Sequence, residues 1–298
     1  ADKPSLRALS SLIKEVQVLC EAYDPNTTWG SYLKELYQKE SLIVYVLKEN
    51  ERLVGFCFLD VLELDYGQLI LYTKVPEDEV FFSSELMGLG LLEGRIVELI
   101  QFREGFQLRD AFIAAGCVEK ERVKMVHPRL ESFEHFVMPA GFSMLPVTKE
   151  TLDIAADISQ KAHVLRHQEE RYVNYHTQEN RKAFSLGLKD PDKNNYIDEA
   201  SCILYASQQH LGLVEAIYMT HQKEELPWIA DLSIAPQYQG KKYGELLLQY
   251  CLSQFYKIGH SKAGLSVSIK NTAAYELYKK IGFEESEWMV ELFIPEAG

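Results

Sequence analysis

The chain has 298 residues, of which 47% are hydrophobic and 11% are aromatic, so it can bury one large core or two moderate ones, and two domains fit the usual domain length better. Its formal net charge of −13 argues against a nucleic-acid partner, because binding to a phosphate backbone generally needs a clustered basic face. A cationic small molecule or an exposed amine suits this charge better.

The sequence indicates neither a membrane span nor a metal site. No stretch approaches the roughly 18 apolar residues needed to cross a bilayer, and the first ten residues lack the apolar run of a signal peptide, so we expect a soluble cytoplasmic protein without membrane partners. The five cysteines lie far apart in apolar segments and without metal-ligand spacing. This pattern is typical of reduced core residues, and we expect no metal.

Strands and helices are predicted to alternate in the first half of the chain. Runs of apolar and β-branched residues predict strands near 42–47, 53–62, 68–75, 96–102 and 122–127. A helix rich in Leu and Met is predicted near 84–92, and another begins at Leu108 and ends at Gly116. The first two strands are expected to pair around a short polar turn.

The second half shows the same kind of alternation more clearly. Helices are predicted at 151–163, within 169–188, at 241–258 and at 271–281, and strands at 202–206, 213–220, 228–235, 264–269 and 288–294. Gly282 follows the last helix, where a residue with a left-handed backbone would end it. This order is typical of an α/β layer rather than of a helix bundle or a sandwich.

The two halves resemble each other at fixed offsets. The helix that ends at Gly116 superposes on the helix that ends at Gly282 at an offset of 166 residues, and Val75-Pro76 superposes on Ala235-Pro236 at an offset of 160. An internal duplication explains this match, although two ordinary α/β stretches can also look alike by chance. We expect domains at 1–135 and 136–298, with a linker in 128–140.

A glycine-bearing turn at 239–244 connects the strand at 228–235 to the long helix at 241–258. The first N–H groups of such a helix have no intrahelical partners and point outward together at the positive end of the helix dipole. They form an anion site suited to a diphosphate, and Gly240 and Gly244 let the backbone approach the phosphates. Lys241 and Lys242 add positive charge there. A purely structural turn is the other interpretation.

Asn271 and Tyr278 form a second feature, about 30 residues after the glycine turn. Taken singly, Asn271 could be only a helix N-cap and Tyr278 only a core aromatic residue with a satisfied hydroxyl. Their spacing, two turns apart on a helix that ends in Ile-Gly-Phe, is much more specific when it follows the glycine turn.

Together these segments resemble the GNAT superfamily of N-acetyltransferases. The family pattern is a strand, then P-x-Y-[RQ]-G-x-G-x-[GA] before a helix, then a strand and N-x-x-A-x-x-L-Y-x-x-x-G-F. This chain has PQYQGKKYG and NTAAYELYKKIGF. The resemblance covers roughly 142–298, and its specific motifs lie within 232–283. It implies two GNAT-like domains, each an α/β unit with a mixed, largely antiparallel, twisted sheet flanked by helices.

The resemblance also implies an acyltransferase that uses acetyl-CoA and transfers its acetyl group directly to an amine in a ternary complex. The backbone of Leu232, Ser233 and Ile234 would pair with the pantetheine arm, and Tyr278 would donate a proton to the departing thiolate. Asn271 would contact the cofactor chain. The pyrophosphate would be held by the turn, which comprises Gln239, Gly240, Lys241, Lys242, Tyr243 and Gly244.

Lys242 departs from the family pattern, because the second glycine of the loop stands at this position in relatives. A lysine can occupy a first-turn position at negative φ, so we expect the loop to keep its shape. A second departure concerns the general base, since Ser266 stands where some relatives place a glutamate. Glu215, Asp231 and His221 are the local substitutes. Glu215 ranks first, because an isolated carboxylate in an apolar strand is costly without a role or partner.

The first half lacks the residues of this site. At the two offsets Gly240 and Gly244 become Val80 and Ser84, and Tyr278 becomes Phe112, which cannot donate a proton to sulfur. We therefore expect a non-catalytic first domain. His163, His167 and His176 could line the acceptor pocket, because the equivalent region of relatives does so.

Other functions remain open at this level. The chain could be an acetyl-CoA-binding sensor or scaffold with decayed chemistry, or a tandem GNAT-like aminoacyl transferase that uses charged tRNA. The amine acceptor, a small molecule or a peptide, and the oligomeric state cannot be read from the sequence.

Overall fold

The computed structural model describes residues 9–10, 12–14, 37–38, 42–50, 52–61, 66–73, 78, 81, 84–86, 96–100, 108–114, 117–166, 177–190, 195–222 and 224–293. The chain divides into two compact units. Unit 1 comprises Ala1–Lys120 together with Val290–Gly298, and unit 2 comprises Glu121–Met289. The sequence predicted a division after residue 135. The segment 121–135 belongs to unit 2, where the 3-10 helix Leu130–Phe133 buries Leu130.

Unit 1 contains a mixed sheet in the order β1-β2-β3-β4-β11. The elements are β1 Leu42–Glu49, β2 Arg52–Val61, β3 Tyr66–Thr73, β4 Ile96–Ile100 and helix α1 Leu108–Ala114. The last strand, β11 Glu284–Phe293, pairs with β4 through its residues 291–293. Only β3 and β4 are parallel, and the other pairs are antiparallel. The helix predicted near 84–92 is helical at 84–86, and its remaining residues lie outside the described ones.

Both faces of the unit 1 sheet are buried, because successive side chains of a strand point to opposite faces. Cys57 and Leu59 of β2 belong to the core cluster that contains Phe112 of α1. Phe56 and Phe58 belong to the cluster on the other face. This arrangement of apolar residues explains why β2 is an almost continuous apolar run.

In unit 2 the strand order is β11-β5-β10-β9-β8-β7-β6. Its strands are β5 Val118–His127, β6 Phe142–Pro146, β7 Cys202–Ala206, β8 Gln209–His221, β9 Glu224–Ile234 and β10 Ala263–Ser268. Its helices are α2 Leu152–Arg166, α3 Gln178–Leu188, α4 Tyr243–Lys257 and α5 Thr272–Ile281. The pairing is antiparallel from β6 to β9 and between β10 and β5, whereas β9 and β10 are parallel.

Two helices of unit 2 pack on separate apolar clusters of its sheet. Leu248, Cys251 and Phe255 of α4 are fully buried in the larger cluster, and Ala155 and Ile158 of α2 lie in the smaller one. The α/β architecture with largely antiparallel sheets flanked by helices confirms the predicted fold class. In the part of the chain that is described, no helix is both long and apolar enough to cross a membrane.

Five strands follow the same order in each unit, β1-β2-β3-β4-β11 in unit 1 and β7-β8-β9-β10-β5 in unit 2. In both, the first three strands are antiparallel, the fourth is parallel to the third, and the fifth is antiparallel to the fourth. Moreover, β5 and β11 begin at 118 and 284 and end at 127 and 293, an offset of 166 residues at both ends. This correspondence supports an internal duplication. The fifth strand in each case comes from the other half of the sequence, β11 for unit 1 and β5 for unit 2.

Candidate active site

The site begins where two parallel strands of unit 2 diverge. Among the described residues, β9 and β10 pair at only two positions, Trp228 with Gly264 and Ile229 with Leu265. The strands meet closely there, since a methyl group on Gly264 would lie 2.0 Å from the Trp228 ring. Beyond this point β9 continues to Ile234 and β10 to Ser268. A wedge therefore opens between the carboxyl ends of the two strands.

A bulge in β9 marks the same point. Glu215 of β8 faces Asp231, but the next residue, Ala216, faces Ile229, so Ala230 is the extra residue of β9. Such a bulge bends the strand and increases its twist. The backbone of 231–234 is thereby turned away from β10 and offers one edge to the wedge.

A cavity of about 560 Å³ fills this wedge, a size typical of ligand pockets. Most of the residues predicted for the site line it, namely Asp231, Leu232, Ser233, Ile234, Gln239, Gly240, Lys242, Tyr243, Gly244, Asn271 and Tyr278. Of the described residues predicted for the site, Glu215 and Lys241 do not line it. The fold thus brings the glycine turn and the Asn-Tyr helix, which are separate in sequence, to one cavity.

The turn before α4 differs from the prediction at Lys242. Gly240 has φ +75° and Lys242 has φ +65°, both in the left-handed region that L-residues other than glycine rarely enter. The expected negative φ at Lys242 is therefore wrong. The backbone of the turn follows the path that a glycine would allow, and Lys242 adopts a strained left-handed conformation there. The Gln239 side chain supports the turn by donating to the Ile234 carbonyl at 2.9 Å.

The amino end of α4 directly follows this turn. The first intrahelical bond runs from the Leu246 N–H to the Lys242 carbonyl at 3.1 Å. Lysine has no acceptor atom, so Lys242 cannot cap the N–H groups before Leu246 with its side chain. These donors and the positive end of a 15-residue helix can bind an anion such as a phosphate group.

Helix α5 presents Asn271 and Tyr278 to the cavity. Asn271 is the N-cap, and its side chain accepts a hydrogen bond from the Ala274 N–H at 3.4 Å. Tyr278 is 7% exposed and packs against Phe283, with 5.8 Å between the ring centroids. Gly282 ends the helix at φ +110°, and the Phe283 N–H returns to the Tyr278 carbonyl at 3.0 Å, which confirms the predicted left-handed end.

Asp231 lies at the bulge, 5% exposed, and accepts four hydrogen bonds. Its Oδ2 accepts from Arg181 at 2.6 Å and from Ser159 at 2.5 Å. Its Oδ1 accepts from Ser233 at 2.7 Å and lies 3.3 Å from His163 Nε2. Burial alone would raise the pKa of Asp231, but the Arg181 guanidinium and the bonds from His163 and Ser159 hold it below its ordinary value.

Glu215 lies opposite Asp231 in the pair of strands but is fully buried away from the cavity. Its carboxylate accepts from Ser185 at 2.7 Å and from Tyr196 at 3.2 Å. Burial raises the pKa of Glu215 to about 7, and the negative charge of Asp231 adds to the shift. The third candidate base, His221, does not line the cavity either, and its Nε2 lies 2.7 Å from the Ser286 hydroxyl.

Two residues that hold this cluster together were not singled out from the sequence. Arg181 of α3 is 1% exposed, and Ser159 of α2 joins it on the same oxygen of Asp231. Arginine is almost never buried without a partner. The sequence alone does not show that Arg181 is buried, because its burial depends on how α3 packs. Of the three predicted acceptor-pocket histidines, His163 lines the cavity, whereas His167 and His176 lie outside the described residues.

The described residues of unit 1 lack the features that open this wedge. Strands β2 and β3 pair in an unbroken register, from Gly55 opposite Thr73 to Val61 opposite Gly67. Strands β3 and β4 pair at all five positions of β4. Phe112, which occupies the position of Tyr278, is 1% exposed in the core.

The comparisons with known proteins agree with this geometry. Residues 162–283 match the family described as acetyltransferase (GNAT) family. An uncharacterized N-acetyltransferase of Methanocaldococcus jannaschii is 32% identical over 66 residues, which are 22% of this chain and 29% of that relative. The chain thus spans less than a third of the curated relative that it matches.

Two solved structures share the fold over most of the chain. A GCN5-related N-acetyltransferase from Sphaerobacter thermophilus covers 97% of this chain and 93% of its own, with a TM-score of 0.60 and 13% identity. A tandem GNAT protein from the clavulanic acid biosynthesis pathway covers 96% and 94%, with a TM-score of 0.57 and 11% identity. The residues that match the GNAT acetyltransferase family, 162–283, contain the wedge, the turn and the Asn-Tyr helix.

Proposed function

We propose that unit 2 is an N-acetyltransferase that binds acetyl-CoA in the wedge between β9 and β10 and transfers the acetyl group directly to a primary amine of a small molecule or a peptide. The observation that carries this proposal is the single cavity that joins the β9 edge, the amino end of α4 and Tyr278. The family match gives the kind of reaction. Unit 1, which lacks the wedge among its described residues, is proposed to be non-catalytic.

The residues around the cavity fit each part of the cosubstrate. Backbone N–H groups of 240–244 would hold the two phosphates, because a helix amino end offers several converging donors. The edge of β9 at Leu232, Ser233 and Ile234 would pair with the amide groups of the pantetheine arm as an added strand does. Asn271 would contact the same arm. Acetyl-CoA bound in this way supplies a thioester whose carbonyl carbon an amine can attack.

Tyr278 is the proposed general acid. Its ring lies in the cavity wall, and a phenol placed near the sulfur can donate the proton that a departing thiolate needs. Neither carboxylate predicted as the base is well suited to that role. Asp231 is held as an anion by Arg181, and Glu215 is fully buried and does not line the cavity. Both act better as parts of a buried network that shapes the bulge.

The test combines acetyl-CoA binding, measured by calorimetry, with release of the CoA thiol over a panel of primary amines and amine-bearing peptides. Tyr278→Phe should lower kcat about 100-fold and leave the Kd for acetyl-CoA within twofold, because only proton donation is lost. Tyr275→Phe is the matched control, since Tyr275 lies on the same helix, does not line the cavity, and bonds Glu285 through its hydroxyl.

Three outcomes would contradict parts of this proposal. Tight acetyl-CoA binding without turnover on any amine would favour the sensor or scaffold. Failure to bind any CoA thioester would remove the cosubstrate and revive the aminoacyl transferase. Equal loss in the Tyr278→Phe and Tyr275→Phe variants would show that the effect does not arise from the phenol in the cavity.

A further inference from the structure

In the network around Asp231, His163 is a partly exposed titratable group that lines the cavity. His163 of α2 is 25% exposed through its side chain, whereas the side chain of Asp231 is 2% exposed. The imidazole lines the cavity together with Ser233 and Leu232 of the β9 edge. It therefore lies beside the backbone that is proposed to hold the acetyl end of the cosubstrate.

The hydrogen bonds at Nε2 determine which ring nitrogen carries the proton. Asp231 Oδ1, 3.3 Å away, belongs to an ionised carboxylate and can only accept. Ser233 Oγ, also 3.3 Å from Nε2, donates its own proton to Asp231 at 2.7 Å and so accepts from the ring as well. Both neighbours require a proton on Nε2. In the neutral ring Nδ1 is then the nitrogen that carries no proton.

Arg181 keeps this arrangement stable. Its guanidinium lies 2.6 Å from Asp231 Oδ2, and Ser159 donates to the same oxygen. These partners fix the carboxylate at the bulge and hold it as an anion, so that Asp231 can stabilise a positive charge on His163. An aspartate that orients an imidazole and stabilises its cation is a known arrangement for a general base.

We propose, on the basis of the acetyl transfer described above, that His163 is the catalytic base that deprotonates the acceptor amine, and that Asp231 is its positioning residue, held in turn by Arg181, Ser159 and Ser233. The proposal assigns the base to α2 rather than to a carboxylate of β8 or β9. It also places the acceptor amine on the side of the cavity that α2 and α3 border.

The proton balance of the step is as follows. His163 takes one proton from the ammonium group of the acceptor, which leaves a neutral amine with a lone pair. The amine nitrogen forms a bond to the thioester carbonyl carbon, and the carbon–sulfur bond breaks. Tyr278 gives its proton to the departing sulfur. The nitrogen of the new amide loses a proton, which returns to Tyr278 through water. His163 releases its proton to solvent, so each turnover yields one amide, one CoA thiol and one proton.

Among the described residues, the charged groups of the Asp231 network lie on three elements packed against α2. Strand β9 contributes Asp231, α3 contributes Arg181, and β8 contributes Glu215, which couples to both of them. The 3-10 helix Pro236–Tyr238, which also packs against α2, has only the Tyr238 phenol as a titratable group. The anion of Asp231 favours the protonated ring, whereas the cation of Arg181 opposes it.

The first measurement is the pH profile of kcat/KM for the wild type and for His163→Gln, with the Kd for acetyl-CoA measured in parallel. We expect His163→Gln to lower kcat about 100-fold or more, to leave the Kd within twofold, and to remove the low-pH limb of the profile. His260→Gln is the control, because His260 is also partly buried but does not line the cavity. It should behave as the wild type.

The second measurement is the nitrogen NMR spectrum of the free wild-type protein, which reports the tautomer of His163 without any substitution or turnover. We expect the proton on Nε2 in the neutral ring. A proton on Nδ1, or a His163→Gln variant with unchanged kcat and an unchanged low-pH limb, would overturn the role of His163 alone. Absence of turnover by the wild type on every amine would instead overturn the proposed function on which this role rests.

Discussion

Lys242 shows how a residue can depart from a family pattern while the backbone keeps its path. The sequence predicted a negative φ for this lysine, and the structure has φ +65°. A substituted glycine is ambiguous in sequence, because either the backbone or the side chain can adapt. Here the neighbouring left-handed Gly240 and the start of α4 fix the turn, so the lysine adopts the strained conformation.

We predict that Lys242→Gly stabilises unit 2 by about 0.5–1 kcal/mol. The left-handed backbone costs a lysine about 1–2 kcal/mol, and the greater freedom of glycine in the unfolded chain offsets part of that gain. Urea unfolding measures the change. Lys241→Gly is the control, since Lys241 is not among the residues with positive φ, and it should lose stability. A loss in Lys242→Gly as well would show that the turn is not strained.

The buried network at the bulge was only partly predictable. The sequence indicated that Glu215 needs a role or partner, because it interrupts an apolar strand, and the structure gives it Ser185 and Tyr196. The partners of Asp231 were not predictable, since Arg181 lies 50 residues before it in the chain. Such a contact depends on how α3 packs, which local patterns do not specify.

We predict that Glu215 makes stability fall as pH rises. Its pKa is raised from 4.5 to about 7 in the folded protein, so the folded state binds a proton that the unfolded state has released. The free energy of unfolding should therefore fall between about pH 4.5 and pH 7, by about 3 kcal/mol at most. Glu215→Gln should flatten this slope in urea unfolding measured across that range. An unchanged slope would contradict the raised pKa.

At the scale of the elements, sequence patterns were most reliable for long periodic segments. The predicted strand 202–206 and the helix at 271–281 agree with β7 and α5 to within one residue. The divergence of β9 from β10 was not predicted, because it depends on strand register and on a one-residue bulge at Ala230. Neither leaves a periodic signal in the sequence.

The close approach of β9 and β10 before the wedge predicts a severe effect for Gly264→Ala. The added methyl group would lie 2.0 Å from the buried ring of Trp228, and such overpacking typically costs about 1–3 kcal/mol. Thermal unfolding should show a lower Tm for unit 2. Gly187→Ala in α3 is the control, because its methyl group meets nothing within 4 Å and alanine favours a helix by up to about 1 kcal/mol. Equal Tm values would contradict this packing.

For the molecule as a whole, the sequence offsets of 160 and 166 predicted which elements of the two halves correspond. The strand order in the two units supports that correspondence. The sequence did not show that β5 and β11 each pair in the unit formed by the other half. Pairing partners of equivalent strands are interchangeable in a duplicated sequence, so only the folded chain distinguishes them.

The contrast between the units predicts one acetyl-CoA site per chain. Calorimetry should give a stoichiometry of one, because unit 2 has the wedge and unit 1 keeps an unbroken register. Gly244→Trp should abolish binding, since the indole would block the amino end of α4. Ser84→Trp, at the equivalent and exposed position of unit 1, should leave it unchanged. Two sites, or loss of binding in Ser84→Trp, would contradict a single site in unit 2.

The most direct test of the whole account is a crystal structure of the protein with excess acetyl-CoA. The diphosphate should accept hydrogen bonds from the backbone at 240–244, and the pantetheine arm should run along 232–234. The Tyr278 oxygen should lie about 3.5 Å from the sulfur. Density for the cosubstrate elsewhere, or a Tyr278 hydroxyl directed away from the sulfur, would contradict it.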